Sequence, residues 1–572
     1  MDNLTIARLF SEAADLMELG EENPFKIRAY RNAAQLIAAL PAPVTSLSPD
    51  ERRALPGIGK DLAARLDEVA RTGRLQLLDE LRAKTPASLL EIKRLPGIGP
   101  RTLLMLWREM GIASATELEA AIHAGRLRTV RGFGPKKEAT LLKALASNRD
   151  LVARHLLPDC LARGDALRAH LADAGPQARV VLAGGIRRGT ELCSGIDIVA
   201  AGTARDLASI AEAFRSYSLV ETTEESPGGL TARLWGGMQA RLVMCAPTAF
   251  GATLVWHTGS DAHITHLQSR AEEKGLSFAD GALQRGRTTL STDSEETFYD
   301  ALGLAWVPPE LREGLDEIEL AASGALPTLL EWDDLRGDLH MHTTASDGKV
   351  DAEAMAAAAR DAGLDYVVIT DHSPALAMVN GLDNRRALEH ADHVRALDRR
   401  VKGIRVLAGI ECDILADGRM DLDDEVLASL DFVIASLHSA LTQPRAEITA
   451  RVIKAIEHPS VDMIGHPTGR KLLRREGADL DIDAVLDAAA AHGVAMEING
   501  QADRLDLRPS HARKAKARGI PIAVSSDAHS PRGLALKRWG LTVARRAGLT
   551  ADDCLNARPL PAFRKALRRH RA

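Results

Sequence analysis

Nine side chains able to bind a metal stand in the C-terminal part of this 572-residue chain, each at or near the end of an apolar run. They are His340, His342, Asp347, His372, Glu411, His438, His466, Asp527 and His529. Six imidazoles and three carboxylates are too many for one tetrahedral ion, which takes four ligands. A cluster of two or three divalent ions suits the count, and such clusters make a hydroxide at neutral pH and clamp the oxygens of a phosphoryl group. A lone His in such a place usually caps a strand or satisfies a core polar group. A whole set, all at the same end of successive strands, points to a site.

The elements that must position them are short, β-rich runs at residues 337–342, 365–372, 406–411, 432–438, 461–466, 494–499 and 520–527. Ala-rich helical stretches such as 350–362 and 480–492 separate them. Strands alternating with helices imply a parallel sheet, and a closed barrel gathers its active site at the strand C-termini.

Gly337-Asp-Leu-His-Met-His342, Thr370-Asp-His-Ser373, Ser436-Leu-His-Ser439, Gly465-His-Pro-Thr-Gly-Arg470 and Ser526-Asp-Ala-His-Ser530 resemble the PHP (polymerase and histidinol phosphatase) domain. The resemblance runs from about residue 337 to the C-terminus. It implies a distorted (β/α)7 barrel holding two or three Mn, Zn or Fe ions on the nine residues. Glu411, His438 and Asp527 are then the expected catalytic residues, with Glu411 or a hydroxide linking two metals. Arg470 and Arg504 are candidates for the substrate phosphate; ion pairs with acids such as Asp503 or Asp506 are the competing reading.

The rest of the composition narrows the setting. A content of 45% hydrophobic and 26% charged residues is that of a soluble globular protein with room for several domains. The five Cys form no Cys-x-x-Cys pair, which argues for a reducing compartment. The start of the chain lacks a signal-peptide pattern and no apolar run nears membrane-spanning length, so a cytoplasmic location without membrane contact is expected. Net charge is −5, yet residues 51–150 carry 19 Lys and Arg against 12 Asp and Glu. Aromatics are only 3% of the chain, too few for a run of base-stacking platforms. Any nucleic-acid contact should be to phosphates, salt-dependent and indifferent to sequence. No particular protein partner is indicated.

That basic segment contains a repeat: Leu55-Pro-Gly57-Ile-Gly59-Lys60, Leu95-Pro-Gly97-Ile-Gly99-Pro-Arg101 and Val130-Arg-Gly132-Phe-Gly134-Pro-Lys136-Lys137. Each Gly-x-Gly opens onto a helical pattern. Without Cβ atoms the backbone N–H groups can approach a phosphate, and the helix dipole favours the anion. Three such frames resemble the helix-hairpin-helix motif of non-specific DNA binding, which also admits a monovalent cation at its turns.

The opening stretch Asn23-Pro-Phe-Lys-Ile-Arg-Ala-Tyr-Arg-Asn-Ala-Ala34 resembles the start of a family X DNA polymerase. The implied order is a helical domain at 1–85, a fingers-like domain at 86–150, an α/β nucleotidyltransferase-like palm at 151–245, a thumb at 246–315, a linker at 316–336 and the PHP barrel at 337–572. Two-metal nucleotidyl transfer needs three Asp on adjacent strands. Where that family has Gly-Ser-x-Arg-Arg and Gly-Asp-x-Asp, this chain has Gly184-Gly185-Ile186-Arg187-Arg188 and Ser194-Gly195-Ile196-Asp197. The third Asp position matches Arg241, and no acidic residue lies between Ser226 and Ser260. Arg187, Arg188 and Asp197 remain as a residual palm. Trp256-His257 and Ile264 replace nucleotide-pocket residues, and Arg65 replaces a Schiff-base Lys. The expected function is metal-dependent 3′–5′ hydrolysis of DNA in repair, with polymerase activity lost or very weak. The rival readings are a histidinol-phosphate-type phosphatase and a non-catalytic DNA clamp. The basic tail 563–571 is expected to be a solvated helix.

Overall fold

The computed structural model describes residues 3–38, 40, 43–86, 88–93, 98–129, 134, 138–139, 141–142, 145 and 154–567. The chain divides into two compact units, one made of Met1–Ala153, Ala162–Val181 and Ser194–Met244, the other of Arg154–Leu161, Leu182–Cys193 and Cys245–Ala572.

The first unit begins as a helical array around a continuous core that includes Phe10, Leu16, Tyr30, Leu66, Leu103 and Leu118. Local signals start its helices: Ser48 and Ser114 each form a capping box with the Glu three residues on, opening Pro49–Arg53 and Ala115–His123. A five-stranded sheet follows: β1 (Arg179–Ala183), β2 (Gly195–Ala201), β3 (Val220–Ser226), β4 (Gly229–Leu234) and β5 (Gln239–Cys245), in the order β1-β2-β5-β4-β3. Strands β3, β4 and β5 pair antiparallel.

The second unit opens with a thumb whose core joins Ile264, Leu267, Phe278, Phe298 and Tyr299. The barrel comes next, in seven parallel strands in chain order: β6 (Gly337–Asp338), β7 (Tyr366–Ile369), β8 (Arg405–Asp413), β9 (Phe432–Ser436), β10 (Met463–Gly465), β11 (Ala495–Asn499) and β12 (Ile522–Ser525). A parallel bridge between Met341 and Ala528 joins the last strand to the first, with His342 N–H donating to Ala528 O at 2.8 Å. The seven strands are those expected from the sequence, buried on both faces as in a sheet with helices outside. Asp351, Asp383 and Asp481 cap the helices Ala352–Asp361, Asn384–Asp398 and Ile482–His492.

Leu339, Tyr366, Val368, Leu407, Phe432, Ile434, Met463 and Ala523 form the barrel core. The C-terminal segment joins it: Phe563 is fully buried, its ring 5.1 Å from Tyr366 and 5.9 Å from Phe432. The expectation of a solvated terminal helix is therefore corrected for Leu560–Ala566, because its apolar side chains complete the barrel core. Residues 568–571 of that tail lie outside the described residues.

Candidate metal centre

All nine residues converge at the C-terminal ends of the barrel strands, in four overlapping groups. These are His342, Asp347, His372 and His529; His340, His466 and Asp527; His340, His342 and Glu411; and His372, Glu411 and His438. Within each group the candidate ligand atoms lie within 4.8 Å of one another. Glu411 belongs to two groups, and both its oxygens are engaged: Oε2 is 3.4 Å from His340 Nε2, and Oε1 is 3.4 Å from His438 Nε2. His529 Nε2 and Asp347 Oδ2 are also 3.4 Å apart. Two donors bound at about 2.1 Å to one tetrahedral ion stand about 3.4 Å from each other, so these spacings suit an ion between them.

The hydrogen bonding points the same way. His340 Nε2, His342 Nδ1, His372 Nδ1, His466 Nδ1 and Glu411 Oε2 are buried without a hydrogen-bond partner. His372 Nδ1 stands 2.9 Å from Glu411 Oε2, yet their alignment is not that of a hydrogen bond. Orphaned buried polar atoms are costly unless something binds them, and these are donors suited to a divalent ion.

The backbone bends to present two of the ligands. His466 and Asp527 both adopt positive φ, +24° and +52°, an unfavourable conformation for residues with a Cβ and one that tends to mark functional sites.

Electrostatics divide the ligands by role. Burial would raise Glu411, but the imidazoles of His340, His438 and His372 hold it well below the ordinary carboxylate range. Asp527 is likewise held down against burial by His340 and His342. Burial, then the neighbouring His372, lowers His342 to about 4, which keeps it in the neutral form a metal needs. Burial opposes protonation of His340, but Glu497, Glu411 and Asp527 together drive its pKa well up. A site whose carboxylates draw a proton onto a buried ligand is one that a dication would neutralise, releasing that proton.

A second layer, which the sequence reading did not single out, orients the ligands. Glu497 Oε1 accepts from His340 Nδ1 at 2.8 Å, and its Oε2 accepts from the His466 backbone N–H at 2.6 Å. Asp413 accepts from His438 Nδ1 at 2.5 Å. Asp371 accepts from the backbone and hydroxyls of Thr343 and Ser346, holding the loop that carries His342 and Asp347. Carboxylates behind ligating imidazoles fix tautomer and ring orientation. The one available signal was a charged residue inside an apolar run, as Glu497 is in Val494-Ala-Met-Glu-Ile.

The two candidate arginines separate. Arg504 Nε is buried without a hydrogen bond and forms an ion pair with Asp527 Oδ2 at 3.9 Å. Arg470 is committed elsewhere: it donates to Glu191 from both terminal nitrogens and to the carbonyls of Arg504 and Leu505. That ion pair leaves its guanidinium no group for a substrate, and the acid involved is neither Asp503 nor Asp506.

The comparisons with known proteins agree with this architecture. Family profiles match at residues 1–75 (helix-hairpin-helix domain), 88–147 (SAM-like helix-hairpin-helix tandem), 253–313 (DNA polymerase beta thumb) and 338–501 (PHP domain). The DNA polymerase/3′-5′ exonuclease PolX of Bacillus subtilis (strain 168) is 34% identical over 576 residues, covering 100% of both chains. The chain belongs to the PolX family. A probable phosphatase of Thermoanaerobacter sp. (strain X514) is 34% identical over 232 residues, 38% of this chain and 89% of that one. A probable phosphatase of Shewanella oneidensis is 31% identical over 233 residues, 39% and 88%.

In this member of the PolX family the helix-hairpin-helix and thumb domains are DNA-binding elements. Gly57 lies at φ +82° and Gly59 precedes Lys60–Thr72, with open space where either Cβ would stand. Gly99 precedes Pro100–Arg108 in the same way, and Lys60, Arg101 and Gly134 are exposed. Gly97, Gly132, Lys136 and Lys137 lie outside the described residues.

The segment read as a palm lacks room for the carboxylates that the resemblance calls for. Arg241 Nε donates to Asp197 Oδ1 at 2.9 Å, so a cation occupies the one remaining carboxylate. A Cβ at Gly195 would stand 2.5 Å from the carbonyl oxygen of Gln239, and one at Gly185 2.6 Å from Thr190 Oγ1. Arg187 makes a bidentate pair with Glu295, and Arg188 donates to the Thr258 carbonyl. Both guanidiniums are thus engaged by other groups of the protein. Ile264 packs in the thumb core, and Trp256 meets Phe278 edge-on at 5.2 Å. Arg65 pairs with Glu68. Among the described residues no helix is long and apolar enough to cross a membrane, and the five Cys form no disulfide.

Proposed function

We propose that the barrel hydrolyses phosphodiesters at the 3′ end of DNA, in the cytoplasm and in the service of repair, and that the palm serves as a scaffold without useful polymerase activity. The observation that carries the reading is the convergence of the nine ligands, with orphaned donor atoms, in a chain whose helix-hairpin-helix turns suit a DNA backbone. Two or three divalent ions (Mn, Zn or Fe) held there would activate water and polarise the phosphoryl oxygens. Glu411 lies between two ligand groups and links them. His438, held by Asp413, and Asp527, held by Asn499 at 3.1 Å, complete the catalytic set. Arg504 is aimed to take a phosphate oxygen beside Asp527. The turns at Gly57, Gly59, Lys60, Gly99 and Arg101 contact phosphates without reading bases, with a monovalent cation at the turns. The full-length PolX relative, named a polymerase and a 3′-5′ exonuclease, favours DNA over a small ester as substrate.

The test is incubation with Mn²⁺ and labelled DNA, single-stranded, nicked and gapped, beside p-nitrophenyl phosphate. Chelator-sensitive shortening from the 3′ end, lost in His340→Ala and Asp527→Ala, is expected. Degradation that survives both substitutions, or hydrolysis of the small ester alone, refutes the reading.

A further inference from the structure

Asp347 is the ligand that its own strand holds least. It lies farther past the end of its strand, β6, than any other ligand lies from its own. Its side chain stands 3.4 Å from His529 Nε2, 3.7 Å from His372 Nε2 and 3.9 Å from His342 Nδ1. It belongs to the group it makes with those three imidazoles and to no other, whereas His340, His342, His372 and Glu411 each serve two groups. Whatever fixes Asp347 therefore acts on one group.

The loop that carries it is closed on itself by Gly348 N–H to Thr343 O at 2.8 Å and Thr344 N–H to Val350 O at 2.9 Å, and Lys349 N–H donates to His529 O at 2.9 Å. The tip before Asp347 has two outside holds. One is Asp371, through Thr343 and Ser346. The other is Arg386. Its Nη2 donates to Ala345 O at 2.8 Å, while Nη1 donates to Asn380 O at 3.0 Å and Gly381 O at 2.8 Å. Asn380 Nδ2 donates to the same Ala345 carbonyl at 3.2 Å.

Asn380 and Gly381 belong to the loop that follows His372, and Leu382 N–H returns to His372 O at 2.7 Å. One guanidinium thus ties the loop behind His372 to the loop that bears Asp347, two ligands of the same group. Arg386 is itself set in the first turn of Asn384–Asp398, where its N–H donates to Asp383 Oδ1 at 2.9 Å. Among the described residues it forms no ion pair. A planar fork of donors can span three carbonyls at fixed angles, which a single ammonium cannot.

We propose that Arg386 is a positioning residue for the ion that His342, Asp347, His372 and His529 would hold: it fixes Asp347 against the three imidazoles and so sets the affinity of that one ion. This rests on the reading of the barrel as a metal-dependent hydrolase and adds which ion is controlled separately, and by what. None of the other three groups takes a ligand from residues 343–349, so their ions keep their affinity when the clasp is lost.

The experiment uses the full chain, with Arg386→Ala, Arg386→Lys, Asp347→Ala and the Asp347→Ala/Arg386→Ala pair. Mn²⁺ and Zn²⁺ bound per chain are measured by elemental analysis after dialysis against graded free metal, and circular dichroism of the chelator-treated proteins reports the fold. Arg386→Ala is expected to weaken one binding step by about 10- to 100-fold, the usual effect of losing an outer partner of a metal ligand, and to leave the other steps unchanged. Arg386→Lys keeps the charge but not the fork, and is expected to weaken the same step by less. Because Arg386 acts through Asp347, Arg386→Ala should add nothing once Asp347 is Ala. Parental affinity at every step in both Arg386 variants, equal weakening of all steps, or a loss that adds in full to that of Asp347→Ala overturns the proposal. An unmodified chain that shows the selective loss yet hydrolyses no DNA overturns the functional reading and leaves the clasp standing; one that binds no ion overturns both.

Discussion

Replacing Glu497 with Gln changes almost no volume, yet the geometry predicts a weakened metal site. Three donors converge on this carboxylate: His340 Nδ1 on Oε1 at 2.8 Å, the His466 backbone N–H on Oε2 at 2.6 Å and Asn499 Nδ2 on Oε2 at 3.2 Å. Gln must turn its NH₂ to one side or the other. Toward His466 and Asn499, donor meets donor. Toward His340, the ring can accept only by carrying its proton on Nε2, the nitrogen that faces Glu411 and Asp527 and must be bare to bind a metal. An unmet buried hydrogen bond costs about 1–3 kcal/mol, which is about 5- to 150-fold in an equilibrium constant. Loss of an outer carboxylate behind a ligating His is ordinarily about 10- to 100-fold in metal affinity, so the two routes agree. Competition titration with a chelating dye on Mn²⁺- and Zn²⁺-loaded protein would read this directly, with circular dichroism as the folding control. A Glu497→Gln protein that folds and binds both metals as tightly as the parent would refute the argument.

Two further outcomes follow from the palm and thumb. Restoring carboxylates by Gly195→Asp with Arg241→Asp should give no primer extension, because the new Cβ at 195 would lie 2.5 Å from the Gln239 carbonyl oxygen; robust incorporation of dNTPs would contradict this. Burial pushes Glu295 up, but Arg187 and Arg312 outweigh it and hold the carboxyl far below its ordinary 4.5. Its folded pKa is depressed, so its stabilisation is complete above pH 4.5 and is lost as pH falls through the folded value. Glu295→Gln leaves the fully buried Arg312 unpaired, which should cost about 3–5 kcal/mol near neutrality by urea unfolding. The gap from the parent should shrink in acid; a constant gap from pH 7 to pH 3, taken as about the span of carboxylate titration, would count against the assignment.

Much of this molecule was legible in its sequence because its chemistry falls on strand ends. A parallel barrel delivers every strand C-terminus to one rim, so Asp338 to His342, His372, Glu411, His438, His466 and Asp527 could be placed together once the alternation of strand and helix was seen. The turn at Gly57 was readable for a similar reason, as its φ of +82° favours a residue without a Cβ. The missing carboxylates could also be read directly, since Gly195 and Arg241 offer no metal-binding oxygen from their side chains wherever the backbone runs.

What the chain could not show by itself was partnership. Arg470 and Arg504 are both arginines just past barrel strands, and nothing local distinguishes them. Only the tertiary structure supplies Glu191, 279 residues from Arg470, to take that guanidinium while Arg504 stays beside Asp527. Arg187 finds Glu295 across 108 residues, and Phe563 finds the rings of Tyr366 and Phe432. Glu497 was visible as a charge in an apolar strand, but its service to His340, 157 positions away in the chain, depends on the barrel closing. Residue type and period set the ligands and the strands. Which buried donor meets which acceptor is decided by packing, because each must find a partner when water is excluded.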